Sequence, residues 1–158
     1  MPVIRSAQRK VEILETSDPH IKNREEWISE PAGLTQLGAF IHLLAPGTRS
    51  SIKHWHESED ELVYVLDGEL TVIEGEEEHL LQQGDAVAFP KGRPVGHYLW
   101  NRSAAIVRCM IVGTRAEVDR IAYPDHDRLL HRDRALPDDV WTDSSGNAAD
   151  SPYKHWLP

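Results

Sequence analysis

Between residues 36 and 113 the chain is a succession of short apolar runs cut by Gly, Pro, Asp or Asn. "LGAFIHLLA", "RSSIKHWH", "ELVYVLDG", "ELTVIEG", "EEHLLQQG", "DAVAFP", "GHYLWN" and "AAIVRCMIV" are rich in Val, Ile, Leu and aromatic residues, and each is too short for a stable helix. They predict strands. The Asp-Gly pair inside "LDGEL" marks a hairpin. Many short strands at close spacing predict an all-β antiparallel sandwich or barrel.

The flanks read differently. Residues 1–35 are mixed in character. Asn23, followed by acidic residues, is a helix N-cap candidate, and Pro31-Ala32-Gly33 is a break, so at most a short helical turn is expected there. Residues 114–158 turn polar again, with a short helix expected within "RAEVDRIAYPDHDRLLHRDRALPDD" and a loop at "TDSSGNAADSPY". The expected organisation is an N-terminal extension over 1–35 packing on a β-barrel over 36–113, then a C-terminal extension over 114–158.

Composition narrows the functional classes. The chain has 158 residues, enough for one domain with a real core, and its formal net charge of −9 argues against a nucleic-acid backbone as partner. It holds no long apolar run that would span a membrane, and "MPVIRSAQRKVEIL" lacks the apolar segment of a secretory signal, so a cytoplasmic protein is expected. Cys109 is the single cysteine, which rules out an intrachain disulfide; its apolar surroundings predict a buried, inert thiol.

Candidate chemistry begins at "HWHESEDE", residues 54–61. Side chains alternate along a strand, so His54 and His56 share one face and Trp55 takes the other. Glu61 opens the next strand and shares its face with Val63 and Val65. A carboxylate among apolar residues needs compensation, which two imidazoles and a divalent cation would supply. A solvated acidic loop is the alternative, and Glu57, Glu59 and Asp60 are read that way.

A second segment adds to this. Gly47, His54, His56, Glu61 and Gly68, followed by Gly84, Pro90, Gly92, His97 and Asn101, resemble the two motifs of the cupin superfamily. Six residues separate Gly47 from His54 and four separate Gly92 from His97, each gap longer than the family's usual one, and both fall in loops. Beyond the motifs, "VGTR", "YPDHD" and "SPY" look like a group of bacterial single-domain cupins, some of them labelled sugar-phosphate isomerases. The resemblance implies a double-stranded β-helix, the jelly-roll barrel, with short helical or irregular N- and C-terminal extensions. It implies a site in which His54, His56, Glu61 and His97 hold one divalent transition-metal ion, with Zn, Fe, Mn, Ni and Co all compatible with three imidazoles and a carboxylate.

Other residues receive roles from their positions. Glu61 is the candidate catalytic carboxylate. Arg49 and Arg108, in or beside predicted strands, are the candidates for meeting an anionic substrate. His97, Leu99 and Asn101 share the inner face, with Tyr98 and Trp100 opposite. Gly68, Gly84, Pro90, Gly92 and Asn101 are read as structural. His42 is read as a satisfied buried residue or a partner to a ligand, and His79 as exposed. His20, His126, His131 and His155 lack ligand spacing, so no second metal site is expected. The expected activity is isomerase- or lyase-like chemistry on a small oxygenated metabolite, a sugar derivative or carboxylic acid. An iron-dependent dioxygenase and a non-catalytic binding or sensor barrel are the alternatives. The expected assembly is a homodimer in which some of Trp27, Trp141, Tyr153 and Trp156 are buried against the barrel or the partner.

Overall fold

The structure, a computed structural model, describes residues 3–16, 18–153 and 156–157, with only the backbone of 15, 16, 156 and 157. Two single 3₁₀ turns, Ser6–Gln8 and Pro124–His126, are the only helical segments among the described residues. Among the described residues no helix is long and apolar enough to cross a membrane. The strands are β1 (Lys10–Thr16), β2 (Lys22–Trp27), β3 (Leu37–Leu44), β4 (Trp55–His56), β5 (Glu61–Asp67), β6 (Glu69–Glu74), β7 (Glu77–Gln82), β8 (Ala86–Phe89), β9 (His97–Trp100), β10 (Val107–Thr114), β11 (Val118–Tyr123), β12 (Arg128–Asp133), β13 (Val140–Thr142) and β14 (Trp156–Leu157).

They form a jelly-roll barrel. One wall is a seven-stranded sheet in the order β14-β1-β2-β3-β10-β5-β8. The other combines β7-β6-β9 with β13-β12-β11-β4, and a bridge between His54 and His97 ties the two together. Leu44, Val63, Val65, Leu70, Val72, Leu99, Val107 and Cys109 from both walls meet in one core cluster. Alternation selects them: on β5, Val63 and Val65 point in while Leu62 and Tyr64 point out. Cys109 is buried there, and burial pushes its thiol up to about 12, which makes it inert at neutral pH.

The hairpin expected at Asp67-Gly68 is present, with Gly68 at φ +91°. A Cβ there would lie 3.1 Å from Val107 Cγ2, so glycine is required for space as well as for conformation. Asn101 is fully buried and donates to the carbonyls of Leu44 and Ala105, the structural role its position suggested.

The flanks correct the expectation of helical or irregular extensions. β1 and β2 lie where at most a helical turn was expected, and they extend the seven-stranded sheet through β3. Asn23 is no N-cap: it sits inside β2, buried, and donates to the Ser50 carbonyl. β11 and β12 replace the expected C-terminal helix, turning through Pro124–His126, with Asp127 in the left-handed region. The predicted strand over 49–56 shrinks to Trp55–His56, because residues 50–53 bend around Ser50, whose N–H donates to the Leu99 carbonyl and whose Oγ accepts from the Leu99 N–H.

Candidate metal centre

The barrel mouth gathers four side chains from three places. His54 and His56 come from the entry to β4, Glu61 from the first position of β5, and His97 from the first position of β9. Ligand atoms of His54, His56 and Glu61 all lie within 4.8 Å of one another. His97 Nε2 is 3.8 Å from Glu61 Oε1, and its ring centroid is 5.0 Å from that of His54.

What aims these rings is the bond each makes on its far side. His54 Nδ1 is 2.9 Å from the Ile52 carbonyl oxygen and 3.2 Å from Ser51 Oγ. His56 Nδ1 is 2.7 Å from Asp119 Oδ2. His97 donates to the Val95 carbonyl and stacks on Phe89, ring centroids 3.6 Å apart, which leaves Nε2 buried and without a partner. Imidazoles held through one nitrogen with the other aimed at a common point form the arrangement by which histidine ligands are oriented.

Burial keeps the His54 and His97 rings neutral, as ligands must be. Burial pulls His54 down to about 4, with His56 adding repulsion. Burial, then His54 and His56, pulls His97 down to about 2. Burial holds the Glu61 carboxyl above its ordinary range, a bias that an adjacent cation would reverse. A buried imidazole nitrogen with no partner, beside a desolvated carboxylate, fits a divalent cation chemically.

Asp119 is the residue that sequence reading missed. It lies on β11, in the segment read as helical, and is fully buried. Its own burial pushes the carboxyl up, but the bonds from His56 and from the Ser58 N–H outweigh that and hold it below its usual range. Glu59, read as a solvated loop residue, is also buried; it accepts from the Ala116 N–H at 2.9 Å and from Arg134 at 2.7 Å. His56, Glu59 and Asp119 bring ligand-type atoms within 4.8 Å of one another as well, but His56 turns toward them the nitrogen that Asp119 already holds.

The two arginines singled out from sequence lie elsewhere. Arg49 stacks over Trp100 and Tyr98, at 5.0 and 5.6 Å, on the face of β9 opposite His97. Arg108 is exposed on β10 between the inward residues Val107 and Cys109. Both side chains lie away from the mouth, so the structure does not bring them together with the four candidate ligands. His42 is buried on β3, as expected, yet neither ring nitrogen has a hydrogen-bond partner, which leaves out the first of its two expected roles, that of a satisfied core residue. His155 and the side chain of Trp156 lie outside the described residues.

Of the spaces that adjoin the site, two have His54 in their walls. A cavity of about 570 Å³ has His54 and His56 in its wall, with Trp27, Tyr123, Trp141 and Arg132 around them. An inner chamber of about 160 Å³ touches His54, Glu61 and His97 from within the barrel and reaches Glu25 and His42. Trp27, Trp141 and Tyr153, expected to be buried against the barrel or a partner, are half-buried around the larger cavity.

Residues 40–113 match the family model described as "Cupin domain". A structure from Silicibacter pomeroyi DSS-3, described as a sugar phosphate isomerase from a cupin superfamily, superposes with a TM-score of 0.84 at 27% identity, over 96% of this chain and 99% of that one. A provisional sugar phosphate isomerase from Acidithiobacillus ferrooxidans superposes at 0.81 with 23% identity, over 94% and 96%. The polyketide cyclase RemF from Streptomyces resistomycificus shares the fold at 0.59 and 20% identity, over 72% and 79%. Among curated proteins none matches the sequence.

Proposed function

Since the chain belongs to the cupin superfamily, we propose that His54, His56, Glu61 and His97 hold one divalent transition-metal ion, and that the protein is an enzyme acting on a small oxygenated metabolite, a sugar derivative or a carboxylic acid. The observation that carries this reading is the convergence of three imidazoles, each fixed from behind, on one carboxylate.

The bound ion would supply Lewis acidity to a carbonyl or hydroxyl oxygen. The chain supplies the rest. Asp119 fixes the His56 ring and its tautomer. Phe89 and the apolar residues behind it shield His97 from water. Glu61, with its carboxyl held high by burial, is the group proposed to take and return a proton. A sugar phosphate isomerase at 27% identity across the full length of both chains supports isomerase chemistry over the alternatives.

The proposal extends to a cytoplasmic homodimer. The outer face of the seven-stranded sheet exposes Ile13, Leu62 and Tyr64, with Ile106 beside it, and this apolar surface suits a second copy. Sedimentation showing a monomer at high micromolar concentration would contradict the dimer.

Metal-loaded protein incubated with aldoses, ketoses and hydroxy acids in D₂O, followed by proton NMR, tests the activity. We expect exchange or interconversion that Glu61→Gln abolishes while retaining the fold and part of the metal. Equal turnover in Glu61→Gln contradicts its role. Tightly held metal with no exchange on any substrate favours the binding barrel.

A further inference from the structure

The spaces beside the metal centre carry information about what enters them. The inner chamber and the larger cavity share Glu25, Phe40, Ser50, Ser51 and His54 in their walls, so a ligand reaching from one to the other passes these residues. His42, only 2% exposed, lines the inner chamber with both ring nitrogens unpaired. It stands directly across the β2–β3 ladder from Glu25. A neutral imidazole offers one donor and one acceptor, and so does a hydroxyl group. Buried polar groups in native proteins find partners, and the chamber that His42 lines offers room for one.

The outer cavity is set for uncharged polar groups. Among the described residues, Arg132 is the one Lys or Arg that lines either space. Its guanidinium is already committed: Nε and Nη2 donate to the two carboxylate oxygens of Asp139, at 3.3 and 3.0 Å. A phosphate dianion entering here would meet Asp139 and Glu25, and Arg132, the one side-chain cation in these walls among the described residues, already gives Nε and Nη2 to Asp139. A hydroxyl instead donates to the carboxylate and accepts from the guanidinium edge without breaking the pair. Trp27, Tyr123, Trp141 and Tyr153 give flat surfaces suited to the C–H faces of a ring.

We propose that the ligand is an uncharged, hydroxyl-rich molecule, a free sugar or polyol and not a phosphate ester, held between the Arg132–Asp139 pair at one end and His42 with Glu25 at the other. This rests on the metal-site reading above and narrows its substrate class.

Calorimetric titration of metal-loaded protein with free pentoses, hexoses and sugar alcohols, each against its monophosphate, tests it, with metal content measured in the same samples. At least one neutral compound is expected to bind tenfold or more tightly than its phosphate. Asp139→Asn, which frees Arg132 near the surface, is expected to narrow that preference at least tenfold with metal content unchanged. His42→Leu is expected to weaken the neutral ligand at least tenfold. A phosphate ester that binds wild-type protein more tightly than its parent sugar overturns the proposal, as does a failure of every neutral compound to bind. Absence of metal from the samples contradicts the metal reading instead, and the sugar-against-phosphate comparison on that same protein still decides this one.

Discussion

The two ends of the barrel are built from the same strands to opposite rules. Along β5, Glu61 faces the mouth, and two residues on Val63 and then Val65 are fully buried in the core. Along β9, His97 faces the mouth and Leu99 the core. Along β3 the inward positions run from Phe40 through His42 to Leu44. The core end stabilises the molecule through apolar burial. The mouth does the reverse: His42, Glu25, His97 and Glu61 are desolvated, and His42 and the His97 Nε2 have no hydrogen-bond partner to offset their burial. The core end holds the scaffold that keeps such groups in place, and the proposed ion and ligand would complete them.

Breaking the core end should have the largest effect on stability. Leu70→Ala, at a fully buried position, is expected to cost about 2–5 kcal/mol in chemical denaturation while leaving metal stoichiometry unchanged. Metal loss in that variant would show that the two ends are not separable.

The mouth should reveal itself through pH. Burial pulls His42 down to about 4, below its usual value of 6.5. Its contribution to stability is therefore fully present above about pH 6.5 and is lost as pH falls toward 4, by roughly 3 kcal/mol at most. Glu25 works in the opposite sense. Burial, then repulsion from Glu12, raises it to about 7, so its contribution is present below about pH 4.5 and is lost as pH rises through 7. In metal-free protein, Glu25→Gln should steepen the loss of stability between pH 6.5 and 4, and His42→Leu should flatten it. Unchanged pH profiles in both variants would remove these groups from the account.

A smaller effect is expected at Asp119, which supports the centre without touching the proposed ion. Asp119→Asn should weaken metal binding about 10- to 100-fold by competition titration, with the fold intact. The smallest effect belongs to Arg108→Ala on the outer face, expected to change stability by less than about 0.5 kcal/mol and metal or sugar binding not at all.

The same division explains what the sequence made legible. Strands that serve the core alternate visibly, and β5, β6 and β10 can be read from Val, Ile and Leu alone. Strands that line the mouth lose that signal. The inward residues of β2 are Asn23, Glu25 and the edge of Trp27, so "KNREEW" looks like loop or helix cap. On β11 the inward Asp119 breaks the pattern of "VDRIAY". The candidate ligands were legible because their spacing is local and resembles a known motif. Asp119, Glu25 and Arg132 were not, because they reach the site through sheet pairing, from segments outside the motifs.

X-ray absorption spectroscopy at the edge of whichever metal co-purifies without chelator tests the central claim most directly. The account predicts one ion per chain whose first shell contains three imidazole nitrogens and carboxylate oxygen, falling to two imidazoles in His97→Ala. A shell with a single imidazole and several carboxylates would instead put the ion among His56, Glu59 and Asp119, and would contradict the assignment of His54, His56, Glu61 and His97.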